Sequence, residues 1–341
     1  MSIISDTPAS SLARSFGARG GQLRVSLTPR CQINCWFCHN EGETPPRLTR
    51  GTGTAVPVRR SELDAHQILT AIEAMVEAGI RRVFFTGGEP LISPLARPVL
   101  EHLPVTATSY STTLITNGLR LPVDLPWLVS TRLGRIKVSL HYFSEESYTA
   151  IAGTRHTGGL TRIKRGIEAA VDAFGPGRVE INTLVQSGNR HEIDAIVDYA
   201  LDLGIGMQVI ELVETAHNGN LGGARVAASS VTDRLRGLAS GEHVDATGTG
   251  QSKRVFTVGR SRIEVIDATL GRYHVGQCSS CPVKDRCVEG FWALRLDESG
   301  TLRPCLLRED LRLDVRPHLH DPRALTAAVA RHIDAFTEGA L

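Results

Sequence analysis

The sequence predicts an α/β fold, a partial (β/α)6 TIM-like barrel followed by a small cysteine-bearing C-terminal module. From residue 22 to residue 212, six short β-rich segments alternate with helical patterns. This alternation predicts parallel strands joined by right-handed crossovers, and six such units suit a partial barrel. The predicted strands span residues 22–27, 82–85, 113–115, 136–140, 179–185 and 207–212.

Amphipathic helices are predicted between these strands. The clearest spans residues 61–78, where Ser61 is the expected N-cap. Its apolar face is formed by Leu63, Ile68, Leu69, Ile72 and Val76. Further helices are predicted at residues 161–174, 191–203 and 323–336. Gly79 and Gly204 follow two of these helices, at positions where helices commonly end.

Composition divides the chain into three parts. Residues 1–21 are small, polar and punctuated by glycine, which predicts a flexible lead-in. Residues 22–230 are assigned to the barrel. Residues 231–341 are assigned to the C-terminal module and a final helix.

Charge and hydropathy exclude several classes of function. The 341-residue chain has 38 basic and 36 acidic residues, a net charge of +2, so no strong field recruits nucleic acid or an anionic membrane. There is no run of 18 apolar residues and no signal-peptide pattern at the N-terminus. We therefore expect a cytoplasmic enzyme with neither a nucleic-acid nor a membrane partner.

Seven cysteines fall into two groups. In a reducing compartment, clustered cysteines indicate a metal site or catalysis more often than disulfides. The first group directly follows the first predicted strand, and the second lies in the C-terminal module. The two groups are Cys31, Cys35 and Cys38, and Cys278, Cys281, Cys287 and Cys305.

The first group has the spacing C-x3-C-x2-C. A four-iron cluster needs four ligands, so a loop with three thiolates leaves one iron open to a small molecule. A structural zinc loop is the alternative, but zinc ligands usually come as C-x2-C pairs with more distant partners. The spacing therefore predicts an iron–sulfur centre at the end of the first strand.

Residues 31–38, CQINCWFC, resemble the defining loop of the radical S-adenosylmethionine (SAM) superfamily. The resemblance implies that SAM chelates the open iron of a [4Fe-4S] cluster held by the three cysteines as the catalytic centre. One electron, from a donor such as flavodoxin or ferredoxin, then yields a 5′-deoxyadenosyl radical that removes hydrogen from a substrate. Phe37 resembles the aromatic residue that packs on adenine.

Other segments match SAM-binding motifs of that superfamily. The sequence TGGEP at residues 86–90 follows the second strand and resembles the motif that binds the SAM amino group. The positions after the third strand and in the fourth match residues that face SAM or substrate. The implied SAM-binding residues are Phe37, Gly87, Gly88, Glu89, Asn117 and Ser139.

The second cysteine group permits two interpretations. Its spacing, C-x2-C-x5-C followed by a fourth cysteine, suits a structural zinc site with four thiolates. It also resembles the Twitch and SPASM modules of radical SAM enzymes, which hold an auxiliary [4Fe-4S] cluster against the barrel mouth. We favour the auxiliary cluster because the chain already carries one iron–sulfur motif.

Residues 23–306 resemble the GTP cyclase of molybdenum-cofactor biosynthesis, the MoaA family. Matching segments include LRVSLT at residues 23–28, TGG at 157–159 and EIN at 180–182. The resemblance implies a nucleotide, nucleoside or sugar-derived substrate and hydrogen abstraction that drives cyclisation, C–C bond formation or rearrangement. Five candidate substrate residues follow from it: Arg24, Thr116, His141, Glu180 and Arg295.

Two departures from the MoaA pattern concern phosphate binding. An arginine of that family aligns with Phe84 and a lysine aligns with Glu180, so two cationic contacts are expected to be lost. A loop at residues 47–60 carries four arginines and is either a lid over an anionic substrate or a solvated surface loop.

Three alternatives to the leading hypothesis stay open. The first is an authentic GTP 3′,8-cyclase with a changed phosphate site. The second is a peptide-modifying maturase of the SPASM or Twitch type. The third is a zinc-stabilised binding protein without catalytic activity.

Overall fold

A computed structural model describes most of the chain. The described residues are 11–39, 41, 63–104, 109–155, 157–213, 222–246, 252–287, 289–308 and 310–339. The predicted lid at residues 47–60 lies outside them.

Twelve strands are present in the described residues. They are β1 (Gln22–Ser26), β2 (Arg82–Thr86), β3 (Ser111–Thr116), β4 (Arg135–Ser139), β5 (Val179–Leu184), β6 (Gly206–Ile210), β7 (Gly241–Asp245), β8 (Lys253–Val258), β9 (Ser261–Ile266), β10 (Ala293–Leu296), β11 (Thr301–Arg303) and β12 (Leu313–Asp314). All belong to one sheet in the order β12-β11-β10-β1-β2-β3-β4-β5-β6-β9-β8-β7.

The α-helices of the same residues mostly connect these strands. They are α1 (Ser11–Ala18), α2 (Ala65–Glu77), α3 (Ala96–Glu101), α4 (Leu121–Leu128), α5 (Glu145–Ile151), α6 (Gly159–Phe174), α7 (Ile193–Leu203), α8 (Thr232–Leu238), α9 (Gly276–Ser279) and α10 (Pro322–Glu338).

The partial barrel is confirmed. Strands β1 to β6 are neighbours in chain order, and each pairs in parallel with the next. All six predicted strands are present within a few residues of their expected bounds. Parallel pairing brings the carboxyl ends of the six strands to one side of the sheet, where active sites of this architecture lie.

The first predicted helix begins later than expected. Its N-cap is Asp64, whose side chain accepts a hydrogen bond from the Gln67 backbone while the Gln67 side chain bonds back to the Asp64 backbone. This capping box starts the helix at Ala65. The predicted N-cap, Ser61, lies outside the described residues. The helix ends as predicted before Gly79, whose φ of +112° few other residues adopt.

The predicted lead-in over residues 1–21 contains a short packed helix at Ser11–Ala18. These residues form α1, and Phe16 is buried. The Phe16 ring stacks on Phe291 with centroids 4.4 Å apart, and Phe291 contacts Phe336 of α10 at 4.7 Å. Tertiary burial against the C-terminal part of the chain therefore orders this short helix.

The C-terminal part of the chain extends both edges of the barrel sheet. Strand β9 pairs in parallel with β6, and β10 pairs in parallel with β1. Antiparallel partners then follow on each side, β8 and β7 after β9, and β11 and β12 after β10. A boundary at residue 230 remains a prediction, and strands from both sides of it share this one sheet.

Within the described residues, no helix combines the length and the apolar character needed to span a membrane.

Candidate active site

A cavity of about 2150 Å³ occupies the inside of the barrel. All three cysteines of the first loop line it. Among the other predicted site residues, its lining includes Phe37, Gly87, Gly88, Asn117, Ser139, Arg24, Thr116, His141 and Glu180. The lining does not include Glu89 or Arg295. The structure therefore brings most of the predicted site together around one space.

The cysteine loop is held against the end of β2 by backbone contacts. The Gly88 amide donates to the Thr28 carbonyl at 2.6 Å, and the Glu89 amide donates to the Arg30 carbonyl at 2.8 Å. A Cβ atom on Gly88 would lie 2.2 Å from the Arg30 oxygen, and one on Gly87 would lie 2.4 Å from the Thr28 oxygen. Glycine is therefore required at both positions for the loop to approach this closely.

Glu89 connects the ends of β2 and β3. Its carboxylate accepts hydrogen bonds from the Asn117 backbone N–H and the Thr116 hydroxyl, both at 2.7 Å. It also accepts from the Leu91 backbone N–H at 3.1 Å. Burial raises the pKa of Glu89 to about 7, against the opposing effect of these hydrogen bonds. The Asn117 side chain in turn donates to the sulfur of Cys31 at 3.7 Å. Glu89 thus positions a residue that contacts the cysteine loop.

Phe37 and His141 form the aromatic side of the same space. Their rings meet edge to face with centroids 5.1 Å apart. The Leu184 amide donates to His141 Nδ1 at 3.0 Å, and burial lowers the pKa of His141 to about 4. His141 is therefore a neutral imidazole near pH 7, engaged at Nδ1 by the backbone.

The three thiols suit an iron–sulfur cluster better than a single metal ion. All three cysteines are free, and loss of hydration raises the pKa of Cys31 to about 12 and that of Cys35 well above its ordinary value. A bound metal centre supplies the positive charge that thiolates require. Among the residues that the structure describes, no three His, Cys, Asp or Glu side chains converge on one ion. A four-iron cluster instead offers a separate iron to each thiolate.

Glu41, three residues after Cys38, is a buried residue that sequence reasoning missed. It adopts a φ of 52°, and its side chain is 5% exposed. Arg24 Nε donates to both of its carboxylate oxygens at 3.0 Å, the Thr86 hydroxyl donates at 3.1 Å, and Arg295 Nε lies 3.3 Å away. Burial acts to raise the pKa of Glu41, but Arg24 and Arg295 hold it well below its usual range. Its partners are distant in sequence, so no local pattern marked it.

The Glu41 contacts continue into the segment after Cys287. Arg295 Nη2 donates to Glu289 at 3.0 Å, and the Trp292 indole donates to the same oxygen at 3.0 Å. Arg295 is only 5% exposed and lies outside the cavity lining. The expected contact between Arg295 and substrate therefore finds no support in the geometry, and Arg24 faces the cavity already paired with a carboxylate.

Glu180 of β5, where the MoaA resemblance implies a lost lysine, lies beside two cationic side chains of β4. Glu180 lies 3.0 Å from Lys137 Nζ and 2.7 Å from Arg135 Nη1. Burial tends to raise the pKa of Glu180, but these two cations lower it overall. The resemblance to the MoaA pattern implies only a lost lysine at this position. The neighbouring strand supplies an ammonium group that Glu180 neutralises.

The same polar wall extends across β6, β9 and β8. Gln208 accepts from Lys137 at 3.4 Å and donates to Glu264 at 3.1 Å. Lys253 lies 3.0 Å from Glu264. All of these side chains line the cavity. Each lysine in this wall is matched by a carboxylate.

The four C-terminal cysteines also lie together. Cys278, Cys281, Cys287 and Cys305 line one small cavity, separate from the barrel cavity, and all are free. Four thiolates around one space fit the donor set of a closed cluster.

The fold and the cysteine loop define an enzyme class. Six parallel strands with a C-x3-C-x2-C loop after the first are the arrangement expected of radical SAM enzymes. The family model described as "Radical SAM superfamily" matches residues 25–200. The chain belongs to this superfamily and is an enzyme that uses SAM and an iron–sulfur cluster, as its first cysteine loop predicts.

Sequence relatives include proteins named "Probable GTP 3′,8-cyclase". The relative from Aeropyrum pernix is 31% identical over 301 residues, which cover 86% of this chain and 76% of the relative. The relative from Methanosarcina mazei is 28% identical, and the match covers 89% of this chain and 83% of the relative. The relative from Methanococcus vannielii is 24% identical, and the match covers 91% of this chain and 93% of the relative. The MoaA-like resemblance is thus confirmed.

Solved structures show the same fold at low sequence identity. Streptococcus suis SuiB has a TM-score of 0.57 and 14% identity, with 93% of this chain covered but only 65% of SuiB. The chain therefore spans less than two thirds of the SuiB length. The structure titled "Native anSMEcpe with bound AdoMet" has a TM-score of 0.50 and 15% identity. The match covers 93% of this chain and 81% of that structure.

The substitution Glu41→Gln is expected to lower the free energy of unfolding by about 3–5 kcal/mol, because it leaves two buried arginines without their shared counter-charge. Urea denaturation measures this loss. Asp124→Asn is the control. Asp124 is also a buried carboxylate, but its arginine partner, Arg120, is half-exposed. A cost below 1 kcal/mol for Glu41→Gln contradicts the assigned role.

The substitution Glu89→Gln is expected to change how stability depends on pH. Between the ordinary pKa of 4.5 and the folded value of about 7, the native protein holds a proton on Glu89 that the unfolded chain has released. Glu89 therefore makes the free energy of unfolding fall as pH rises through this window, by at most about 1.4 kcal/mol per unit. Removing the carboxyl removes that slope. Parallel curves of unfolding free energy against pH for the two proteins refute this assignment.

Proposed function

We propose that this enzyme uses the 5′-deoxyadenosyl radical from SAM to abstract hydrogen from a nucleotide, nucleoside or sugar-derived small molecule. The abstraction drives cyclisation, C–C bond formation or rearrangement. The observation that carries the proposal is the cavity itself, which has the three-cysteine loop at one end and a polar wall of paired charges along β4, β5, β6, β9 and β8. The names of the sequence relatives support a nucleotide-related substrate.

The residues around the cysteine loop have distinct tasks in this proposal. Cys31, Cys35 and Cys38 hold the cluster to which SAM binds. Gly87 and Gly88 bring the β2 backbone against the loop, and the Phe37 ring offers a flat apolar surface for adenine. The polar side chains of Asn117 and Ser139 face the same space and suit contacts with SAM or substrate. Glu89 acts through Asn117 and Thr116.

The paired charges of the wall along β4 to β9 favour an uncharged part of the substrate over a triphosphate at that wall. Arg24, Lys137 and Lys253 line the cavity, and each already has a carboxylate within 3.0 Å. A triphosphate needs cationic donors that are free to bind it. Releasing these cations would leave Glu41, Glu180 and Glu264 with fewer partners, which is unfavourable above all for the buried Glu41. We therefore place the nucleoside or sugar part of the substrate against this wall.

We propose an auxiliary [4Fe-4S] cluster at Cys278, Cys281, Cys287 and Cys305. Their common cavity supports it, and so does the cluster chemistry of the superfamily. A structural zinc ion is the competing occupant of the same donor set. An electron donor such as flavodoxin or ferredoxin completes the proposal, because SAM cleavage requires one electron.

GTP 3′,8-cyclisation is the second candidate function, favoured by the names of the sequence relatives. Modification of a peptide receives no specific support, since the likeness to SuiB and anSMEcpe extends to the fold alone. Membership of the superfamily removes the hypothesis of a zinc-stabilised protein without catalytic activity.

Deuterium transfer to 5′-deoxyadenosine tests the substrate. With reduced enzyme and SAM, we expect ribose-deuterated GTP to give less label in the mass spectrum than ribose-deuterated guanosine, because Lys137 and Lys253 of the cavity wall are already paired with carboxylates. Efficient transfer from GTP refutes this and supports GTP cyclisation. Glu180→Gln should strengthen GTP binding relative to guanosine, since it frees Lys137 and Arg135. Glu242→Gln, which alters a carboxylate that does not line the cavity, should leave that ratio unchanged.

Metal and sulfide analysis tests the two-cluster proposal. Anaerobically purified enzyme is expected to contain about eight iron and eight acid-labile sulfide per chain. The double variant Cys278→Ala/Cys305→Ala should retain about four of each. Zinc without sulfide at the C-terminal site contradicts the auxiliary cluster.

A further inference from the structure

His274 shares the small cavity with the four C-terminal cysteines. The lining of that cavity also includes Lys284 and Arg308. Within the described part of the chain, the Nε2 atom of His274 is buried and has no hydrogen-bond partner. Nothing in the sequence motifs marked this residue, because it lies four positions before Cys278 and outside the cysteine spacing.

A buried ring nitrogen without a partner is costly. Leaving such a group unsatisfied costs about 1–3 kcal/mol, and native structures usually supply a partner from protein, water or a ligand. Burial lowers the pKa of His274, and nearby Lys284 and Arg272 lower it further. The ring is therefore neutral near pH 7 and has one N–H donor and one acceptor nitrogen.

Two roles are chemically available to Nε2 beside a cluster. It either coordinates an iron or donates a hydrogen bond to a sulfur. Four cysteines line the cavity, and a four-iron cluster has four irons to ligate. The thiolates therefore satisfy every iron, and the imidazole is left as a donor.

We propose that the Nε2–H group of His274 donates a hydrogen bond to a sulfur atom of the auxiliary cluster and raises its reduction potential. The inference rests on the proposed auxiliary cluster. A hydrogen bond to sulfur stabilises the reduced cluster more than the oxidised one, because the reduced cluster carries the greater negative charge. The cationic side chains of Lys284 and Arg308 in the same lining act in the same direction.

The test isolates the auxiliary cluster in the full chain. The triple variant Cys31→Ala/Cys35→Ala/Cys38→Ala removes the first cluster and should contain about four iron. In this background, His274→Phe removes the N–H donor, whereas His274→Gln keeps one. We expect His274→Phe to reduce the equilibrium constant for one-electron reduction about tenfold, a shift of about 59 mV to lower potential. His274→Gln should show a smaller shift. Redox titration followed by electron paramagnetic resonance measures both.

A second measurement uses the intact His274 ring. Protein labelled with ¹⁵N-histidine should show only weak nitrogen coupling to the reduced cluster in pulsed electron paramagnetic resonance. Strong coupling, which signals an iron–nitrogen bond, overturns the hydrogen-bond role. This measurement also decides the question if His274→Phe fails to assemble a cluster.

The outcomes separate the two proposals. If the triple variant contains no iron and sulfide, the auxiliary cluster is absent and the role of His274 fails with it. If the triple variant contains about four iron but His274→Phe leaves the potential unchanged, the role of His274 alone is refuted.

Discussion

The site depends above all on the close contact between the cysteine loop and the backbone after β2. Side chains at Gly87 or Gly88 would collide with the carbonyl oxygens of Thr28 and Arg30, so two residues without a Cβ set the position of the loop. Glu89 then extends the same contact to the end of β3 through Thr116 and Asn117. The cysteine loop is thereby tied to the rigid ends of two parallel strands rather than left on a free connection. This is how a short, irregular segment acquires a defined geometry.

Charges buried behind this loop join it to the C-terminal part of the chain. Glu41 contacts Arg24 on β1 and Arg295 on β10, and Arg295 contacts Glu289. Burying these groups is unfavourable unless each has a partner of opposite charge. Removing any one of the four charges is therefore expected to destabilise the protein. The parallel pairing of β1 with β10 places the two arginines side by side and makes the network possible. This network therefore joins the segment after Cys38 to the segment after Cys287, although the two cysteine groups line separate cavities.

The inside of the barrel brings the cysteine loop and a wall of paired charges into one cavity. The superfamily chemistry requires the cysteine loop, but the wall across β4 to β9 is independent of it. Here each lysine of that wall is paired with a carboxylate, so these groups are available mainly as hydrogen-bond partners. In the proposed function, the reaction class and the substrate are therefore set by residues of different strands.

The sequence by itself determined the six-strand barrel, the helices around it and the reaction class, and it predicted the first cysteine site. These depend on local signals, namely periodicity, turn residues and the spacing of CQINCWFC and TGGEP. Only the tertiary structure decided that Ser11–Ala18 is ordered against Phe291, and that β9 and β10 extend the two edges of the barrel sheet. It also decided that Arg295 is turned away from the cavity, that Glu41 completes the arginine network, and that Lys137 stands beside Glu180. The physical reason is that these contacts join residues far apart in the chain, and their energies come from burial and charge pairing that no local pattern encodes.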